Sequence, residues 1–374
     1  MASDDVLLFD VSFADLGCGP REQGLFDAWC AANPAPDGRR RVLGRVIKLD
    51  RGYPLVCCHL GNLRCEHAVD FIKRNDSLAC VGDWVVLALP QGHDMGIICW
   101  VLDRKESFCR KDPAERTRVQ VLAANIDTIF VVHALGGEAL NQRRLERELV
   151  VAHESGATPV VLLTKTDLSP DLAADVAAAQ ETAPGLRVLT VCSKRGEGVE
   201  DVRACIPAGS TAVLLGASGV GKSSLVNALV GAERMRTAAV RAGDDRGRHT
   251  TVARQLLPIP GGGVIIDTPG IRAVALWENE DGMAAAFPEI EEAAAGCRFR
   301  DCSHTSEPGC AVRAAVEAGT IPKRRLESYL ILQQEMADTA ARQEIRARLD
   351  RKAADKGGKA GGSIKYHYNR GRKR

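Results

Sequence analysis

The sequence lacks any long hydrophobic run, and no stretch approaches the roughly 20 consecutive apolar residues that a membrane-spanning helix needs. The N-terminal MASDDVLLFD also lacks the basic and then apolar layout of a signal peptide. These two absences argue against membrane and secreted classes. We therefore expect a cytoplasmic protein without a membrane partner.

Net charge is also low, at +2, but it is unevenly distributed along the chain. Residues 351–374 contain nine Lys and Arg against the single acid Asp355, which leaves 41 basic and 47 acidic side chains elsewhere. This Gly-interrupted basic tail is typical of a solvated chain end. Its interleaved Tyr366, His367 and Tyr368 also suit RNA phosphates and unstacked bases, so RNA is a candidate partner.

Thirteen cysteines are present, and in a reducing compartment most should be small buried hydrophobes, or metal ligands where they cluster with His. Cys297, Cys302, His304 and Cys310 lie within fourteen residues. Three thiolates and one imidazole form a closed set of four ligands, which fits one tetrahedral structural zinc. A second group has strand-like alternation and is interpreted as core and edge positions of a β-unit: Cys57, Cys58, His59, Cys65 and His67.

At 374 residues the chain exceeds what one core supports, and 45% hydrophobic with 26% charged residues is typical of a globular protein of two or three domains. Strand runs separated by turns favour a five-stranded barrel of the oligonucleotide-binding (OB) type, with an SH3-like barrel as the alternative. Alternating strands and helices then favour a mainly parallel α/β sheet with helices on both faces. The predicted segments are an N-terminal extension (1–40), the barrel (41–112), the α/β domain (113–275), a mostly α-helical metal-binding domain (276–350) and the basic tail (351–374).

A phosphate-binding loop is the strongest local signal. GASGVGKS matches GxxxxGK[ST], follows the apolar run TAVLLG and opens a helix, which is the context that separates true loops from chance matches. Glycines let the backbone amides curl around the β- and γ-phosphates, Lys222 adds a positive charge, and the Ser223 hydroxyl is placed to bind Mg²⁺. The predicted nucleotide contacts here are Gly216, Ala217, Ser218, Gly219, Val220, Gly221, Lys222, Ser223 and Ser224.

Three further fragments resemble elements of GTPases. IIDTPG resembles their second phosphate-sensing element, in which Asp267 would hold Mg²⁺ through a water and the Gly270 amide would contact the γ-phosphate. TKTD resembles the guanine-reading motif NKxD, in which the Asp167 carboxylate would pair with the two donors of guanine and be repelled by the adenine lone pair. VCSKRGEG resembles the next base-binding loop, with Ser193 and Lys194 in the positions that support the guanine O6.

The order of these motifs is reversed. Thr164, Lys165, Thr166 and Asp167 precede the phosphate loop, which comes first in an ordinary nucleotide-binding domain. Such an order indicates a circular permutation, in which only the chain ends move and the site assembles unchanged. DTPG then leads directly into the C-terminal region, so a phosphate-dependent shift would have a short covalent path to residues 276–374.

Together with the cysteine cluster, this motif order resembles the bacterial ribosome small subunit-dependent GTPase family over roughly residues 40–330. The resemblance implies an N-terminal OB barrel, a circularly permuted GTPase domain and a C-terminal zinc domain whose ligands match the four Cys and His residues. It also implies Mg²⁺-dependent GTP hydrolysis stimulated by the 30S subunit, contact with 16S rRNA, and a role late in maturation of that subunit.

Ile271 follows DTPG, where many GTPases carry a Gln that orients the attacking water, so another group must do this. GDDRGRHTTVAR resembles the switch stretch of the family, in which a His precedes the threonines. His249 is therefore the candidate for positioning water, and Thr250 or Thr251 for contact with Mg²⁺ and the γ-phosphate.

Two hypotheses of function stay open on the sequence. The first is a GTPase, expected to be monomeric, that acts on the small ribosomal subunit. The second is an rRNA-docking assembly factor whose GTPase activity is weak or decayed, because Thr164 replaces the usual Asn and loses an amide that braces the base site. An ATPase is argued against by Asp167.

Overall fold

A computed structural model describes nine segments of the chain: residues 13–35, 39–50, 53–75, 77–90, 95–111, 119–136, 139–231, 254–267 and 280–356. The strands in these segments form one eleven-stranded sheet and a separate two-stranded hairpin, β6 (Ser107–Lys111) with β7 (Val119–Ala124). No helix in the described segments combines the length and the apolar character needed to cross a membrane.

The first five strands close into a barrel. They are β1 (Arg41–Asp50), β2 (Tyr53–Cys58), β3 (Gly61–His67), β4 (Trp84–Ala88) and β5 (Gly96–Val101), and helix α2 (Val69–Arg74) follows β3. Their order is β1-β2-β3-β5-β4, and an antiparallel pairing of β4 with β1 closes the ring. Because side chains alternate along each strand, Val46, Val56, Val85 and Ile98 all point inward and are fully buried. The predicted five-stranded barrel is confirmed.

The α/β domain has the order β10-β9-β8-β11-β13-β12, in which β12 alone runs antiparallel to its neighbour. Its strands are β8 (Thr128–Ala134), β9 (Thr158–Thr164), β10 (Arg187–Val191), β11 (Thr211–Leu215), β12 (Arg254–Pro258) and β13 (Val264–Asp267). The chain first builds outward from β8 to β10 and then returns to place β11 between β8 and β13. The strand that carries the phosphate loop is therefore central in space although it is fourth in chain order, as the predicted permutation requires.

Helices cover both faces of this sheet. They are α3 (Gln142–Glu154), α4 (Leu172–Thr182), α5 (Val199–Ala204) and α6 (Lys222–Val230). On the central strand, Val213 shares a buried cluster with Leu149 of α3, whereas its neighbour Leu214 shares another with Val202 of α5 and Leu225 of α6. This alternation fixes which face each helix covers and confirms the predicted layered α/β architecture.

The barrel and the α/β domain are joined through their backbones. Strand β1 continues past the barrel and pairs with β12 at Lys48 and Leu49, so both domains share one sheet. Helix α1 (Pro20–Ala32) and the turn before it pack on the barrel. The fully buried Arg45 of β1 donates hydrogen bonds to Leu16 O of that turn, to Gly82 O, and to Thr211 Oγ1 at 2.8 Å on the phosphate-loop strand.

The C-terminal region is helical and consists of α7 (Glu280–Ala286), α8 (Pro288–Ala294), α9 (Ala311–Glu317) and α10 (Lys323–Lys356). Arg325 of α10 is 1% exposed and joins this region to the α/β domain. Its guanidinium lies 3.1 Å from Glu146 of α3 and 2.6 Å from Glu289 of α8, and 4.3 Å above the Phe287 ring. A buried cation shared by two carboxylates fixes the helical region against α3.

Candidate nucleotide site and metal centre

The phosphate loop lies between β11 and α6 at the carboxyl edge of the sheet, and glycines make its course possible. Gly216, Gly219 and Gly221 have φ of 153°, 79° and 99°. A Cβ at Gly216 would also lie 2.4 Å from Val132 O, so no larger residue fits there. Helix α6 begins at Lys222, with Ser223 and Ser224 partly exposed in its first turn. A glycine-rich loop that leads into a helix N-terminus is a backbone arrangement suited to anions.

The Lys222 ammonium lies across the loop and donates to Gly216 O at 2.7 Å and Ala217 O at 2.6 Å. Burial raises the pKa of the nearby Asp267 carboxyl, and the charge of the Lys222 side chain opposes part of this rise. A cation is thus held at the mouth of the loop, within electrostatic reach of a carboxylate on the adjacent strand.

Asp267 ends β13 and is 6% exposed. Its Oδ2 has no hydrogen-bond partner among the described residues, and burial raises the pKa of the carboxyl to about 6 although Lys222 opposes the shift. A buried carboxylate oxygen that has no partner and is costly to ionise fits a cation ligand. The residues present therefore suit a divalent ion beside the phosphate loop.

Thr164 connects the TKTD segment directly to the phosphate loop. Its hydroxyl is buried and donates to Val220 O at 2.5 Å, while His133 O lies 3.2 Å away. A hydroxyl carries one proton, so the shorter contact is the principal hydrogen bond. The sequence predicts that replacing Asn by Thr weakens this brace, whereas the structure retains one direct bond between the two segments.

The rest of the segment leaves β9 through a tight turn. Lys165 adopts a left-handed conformation with φ of 57°, and Thr166 begins a single 3₁₀ turn that presents Asp167 at the sheet edge. The Cys192 thiol donates to Asp167 Oδ1 at 3.3 Å. This hydrogen bond, followed by one from the backbone N–H of Asp167 and then by the charges of Lys194 and Arg195, holds the pKa of the Asp167 carboxyl below its usual value.

Ser193 and Lys194 lie in the turn that follows β10, next to Asp167. Cys192 N donates to Glu197 O at 2.9 Å and closes this turn, so both residues are held beside the end of β9. The sequence patterns predicted Ser193 and Lys194 as site residues but did not predict Cys192. The signal available was its position, immediately before Ser193 in a loop that must face Asp167.

Four predicted residues cannot be placed, because His249, Thr250, Thr251 and Gly270 lie outside the described segments, as does Ile271. The other predicted nucleotide contacts gather at the carboxyl edge of β9, β10, β11 and β13. A ligand crevice at this edge is typical of open α/β sheets.

The second candidate site is a metal centre between α8 and α9. The ligand atoms of Cys297, Cys302, His304 and Cys310 all lie within 4.8 Å of one another. Cys297 Sγ is 3.7 Å from His304 Nδ1 and 3.9 Å from Cys310 Sγ, and Cys310 Sγ is 3.5 Å from the same nitrogen. Tetrahedral bonds of about 2.3 Å to sulfur and 2.0 Å to nitrogen separate ligand atoms by roughly 3.5–3.8 Å. The four side chains can therefore hold one metal ion.

Backbone groups support this arrangement. Burial alone would raise the pKa of the Cys297 thiol, but the N–H groups of Val312 and Ala311, together with neighbouring thiols, lower it below its usual value. Cys310 caps α9 and accepts from Arg313 N at 3.4 Å. Donors aimed at the Cys297 sulfur favour its thiolate, the form that binds metal. At Cys302 the His304 N–H lowers the pKa, but burial and the neighbouring Cys310 and Cys297 thiols raise it to about 11.

The cysteines of the barrel have a different role, as predicted. Cys57, Cys58 and Cys65 are buried in the cores on either side of the barrel wall. His67 accepts from Ala79 N at 3.2 Å, and His59 contacts Arg40 at 2.9 Å. Within the described segments, the C-terminal cluster is the group with metal-binding geometry.

The phosphate loop follows the central strand of a sheet whose strand order is permuted, and Lys222, Asp267 and Asp167 lie along one edge of that sheet. These features define a circularly permuted P-loop GTPase. The model of the RsgA GTPase family matches residues 101–277. The small ribosomal subunit biogenesis GTPase RsgA of Streptomyces avermitilis is 46% identical over 88% of this chain and 91% of its own. That of Syntrophotalea carbinolica is 41% identical over 84% and 89%. The chain belongs to the RsgA family and is a GTPase.

Solved structures agree with this fold. The crystal structure of YjeQ from Thermotoga maritima is 27% identical, covers 80% of this chain and 99% of its own, and has a TM-score of 0.61. YloQ, described as a circularly permuted GTPase, is 24% identical with a TM-score of 0.60 and supports the fold alone.

Proposed function

We propose that this protein hydrolyses GTP on the maturing 30S ribosomal subunit, late in its assembly, and that contact with the subunit stimulates the reaction. The names of the relatives above support the choice of the ribosomal small subunit. The observation that carries the proposal is the assembly of the phosphate loop, Asp267 and Asp167 at one sheet edge despite their reversed order in the chain.

In this proposal the loop amides from Gly216 to Ser224 and the Lys222 ammonium bind the β- and γ-phosphates. Ser223 and Asp267 would hold Mg²⁺, which when bound neutralises charge that develops on the phosphates. Lys222 would then exchange its two loop carbonyls for phosphate oxygens. His249 would orient the attacking water. The Gly270 amide would contact the γ-phosphate, and either Thr250 or Thr251 would contact Mg²⁺ and the γ-phosphate.

Guanine would be bound at the other end of the site. The Asp167 carboxylate would accept from the ring N–H and the exocyclic amino group, the Lys165 stem would pack over the base, and Ser193 and Lys194 would support O6. Thr164 would keep this pocket in register with the phosphate loop through its bond to Val220 O. That direct bond argues against a decayed nucleotide site.

We assign zinc to the four-ligand centre, where it would be structural because three thiolates and one imidazole leave no open position. The metal would fix the loop of residues 297–310, which has little core of its own, in front of α9. The barrel, this helical region and the basic tail of residues 351–374 would contact 16S rRNA.

The test measures GTP turnover by the full chain with and without purified 30S subunits, and pelleting with those subunits in GDP or in a non-hydrolysable GTP analogue. We expect faster turnover with subunits and tighter pelleting with the analogue. Lys222→Ala should lose turnover in both conditions, which controls for contaminating GTPases. Turnover that subunits do not change, together with equal pelleting in both nucleotides, would leave an rRNA-docking factor as the better description.

A further inference from the structure

The carboxylate of Glu307 accepts four hydrogen bonds from the short segment that carries His304. Ser303 N and Ser303 Oγ donate to its Oε1 at 3.0 Å and 2.5 Å. Thr305 N and Ser306 N donate to its Oε2 at 3.2 Å and 3.1 Å. The Ser303 hydroxyl gives its one proton to Glu307, so in its 2.7 Å contact with Thr305 Oγ1 the threonine hydroxyl is the donor. One carboxylate therefore binds the chain on both sides of the histidine.

The backbone of His304 needs this support. Its φ of 59° lies in the left-handed region, which is uncommon for a residue with a side chain. The N–H of His304 itself donates to the Cys302 sulfur, and the N–H groups on either side of it donate to Glu307. Successive N–H groups that converge in this way form a concavity that a negative group stabilises. Without the carboxylate, these donors would lose their partner and the left-handed turn would lose its main support.

This turn sets the direction of the imidazole. The His304 side chain is 7% exposed, and its Nδ1 faces Cys310 Sγ at 3.5 Å and Cys297 Sγ at 3.7 Å. Its ring lies 6.2 Å from the ring of Tyr329 on α10. Because a change in backbone φ swings the whole side chain, loss of the left-handed turn would move Nδ1 away from the two sulfur atoms. The orientation of this ligand thus depends on a residue that lies outside the ligand group.

We propose that Glu307 is a positioning residue for the metal centre, and that its carboxylate holds the turn at His304 so that Nδ1 is directed at the metal. The inference rests on the proposed assignment of zinc to the four ligands. It adds a residue that does not touch the metal but sets how tightly the metal is held.

Three substitutions isolate the carboxylate. Glu307→Gln keeps the size of the side chain but replaces one oxygen by an NH₂ group, and since each oxygen accepts two donors, this group faces donors in either orientation. Glu307→Asp keeps both acceptor oxygens on a side chain that is one CH₂ shorter. Glu292→Gln is the matched control, because Glu292 is an exposed glutamate of α8 outside the loop of residues 297–310.

The zinc affinity of each full-length variant is measured by competition with a chromogenic zinc chelator. Glu307→Gln should bind zinc about tenfold more weakly than the parent, the usual size for a residue that orients a metal ligand. Glu307→Asp should lose less, and Glu292→Gln should match the parent. Glu307→Gln is also made together with His304→Ala, where it should have little further effect, because the ligand through which Glu307 acts is already gone.

Unchanged zinc affinity in Glu307→Gln would overturn the inference, as would equal losses in the Gln and Asp variants. A tenfold loss that persists beside His304→Ala would also overturn it, since Glu307 would then support the loop as a whole and not the histidine. A parent protein that binds no zinc would overturn the zinc assignment itself. The parent measurement therefore distinguishes failure of the proposed metal centre from failure of this inference.

Discussion

Replacing the Asp267 carboxyl by an amide should stabilise the fold and abolish GTP hydrolysis. Burial raises its pKa from 3.8 to about 6, and Lys222 offsets part of this effect. A tenfold change in an acid constant corresponds to about 1.4 kcal/mol, so the ionised carboxylate lowers the free energy of unfolding by about 3 kcal/mol at pH 8. Asp267→Asn imitates the protonated acid and should recover this stability.

The pH dependence has a definite sign. The folded protein keeps the proton of Asp267 up to about pH 6, whereas the unfolded chain loses it near 3.8. The contribution of this group to stability therefore decreases as the pH rises from 3.8 to about 6, and it stays low at higher pH. Asp267→Asn should gain about 3 kcal/mol at pH 8, and about half of that at pH 5.

Urea titrations of nucleotide-free protein without added Mg²⁺, at about pH 8 and about pH 5, measure the two gains in the free energy of unfolding. Asp83→Asn is the matched control, because Asp83 is also buried but is paired with Arg104 at 2.7 Å. Breaking that pair should destabilise the fold by about 3–5 kcal/mol. GTP hydrolysis by Asp267→Asn should fall by about a hundredfold or more, because the proposed cation ligand is lost. An Asp267→Asn variant no more stable than the parent at pH 8, or a gain that does not depend on pH, would refute the reasoning.

Three further substitutions test the contacts around the site. Thr164→Val should weaken GDP binding about fivefold in fluorescence titrations, because it loses the hydroxyl, whereas Thr164→Ser should bind as the parent does. Equal binding by the parent and both variants would show that the hydroxyl does not brace the site. Cys302→Ser should lower the zinc content from one ion per chain and reduce the melting temperature, whereas Cys205→Ser should change neither; full zinc content in Cys302→Ser would contradict the ligand set. Arg325→Met should cost about 3 kcal/mol, because Glu289 loses its cation and the buried Glu146 keeps only its contact with Arg324 at 2.8 Å, and a loss below 1 kcal/mol in urea titrations would contradict this.

Several features were predictable because their chemistry is local. A phosphate loop needs glycines and a Lys at fixed spacing, and metal ligands within fourteen residues can converge whatever the rest of the fold does. The permutation could also be predicted, because it is a statement about motif order. The strand order, with β11 central in the sheet, confirms it.

Other features depend on which distant segments meet, and local patterns carry little information about that. The brace from Thr164 to Val220 O spans 56 residues, and its strength depends on how closely β9 approaches the phosphate loop. Nothing in residues 1–40 predicted that Leu16 would be tied through Arg45 to the strand of that loop. The pairing of β1 with β12, which joins barrel and GTPase in one sheet, was equally invisible.

The sequence by itself determined the class of enzyme, the permuted order and the Cys and His residues that form the cluster able to hold a metal, since each follows from residue types at short spacing. Only the tertiary structure decided how the site is tuned. It brought the Cys192 thiol to Asp167, buried Asp267 until its pKa rose to about 6, and let one hydroxyl replace an amide. Hydrogen bonding and desolvation depend on distances between segments far apart in the chain, and folding sets those distances.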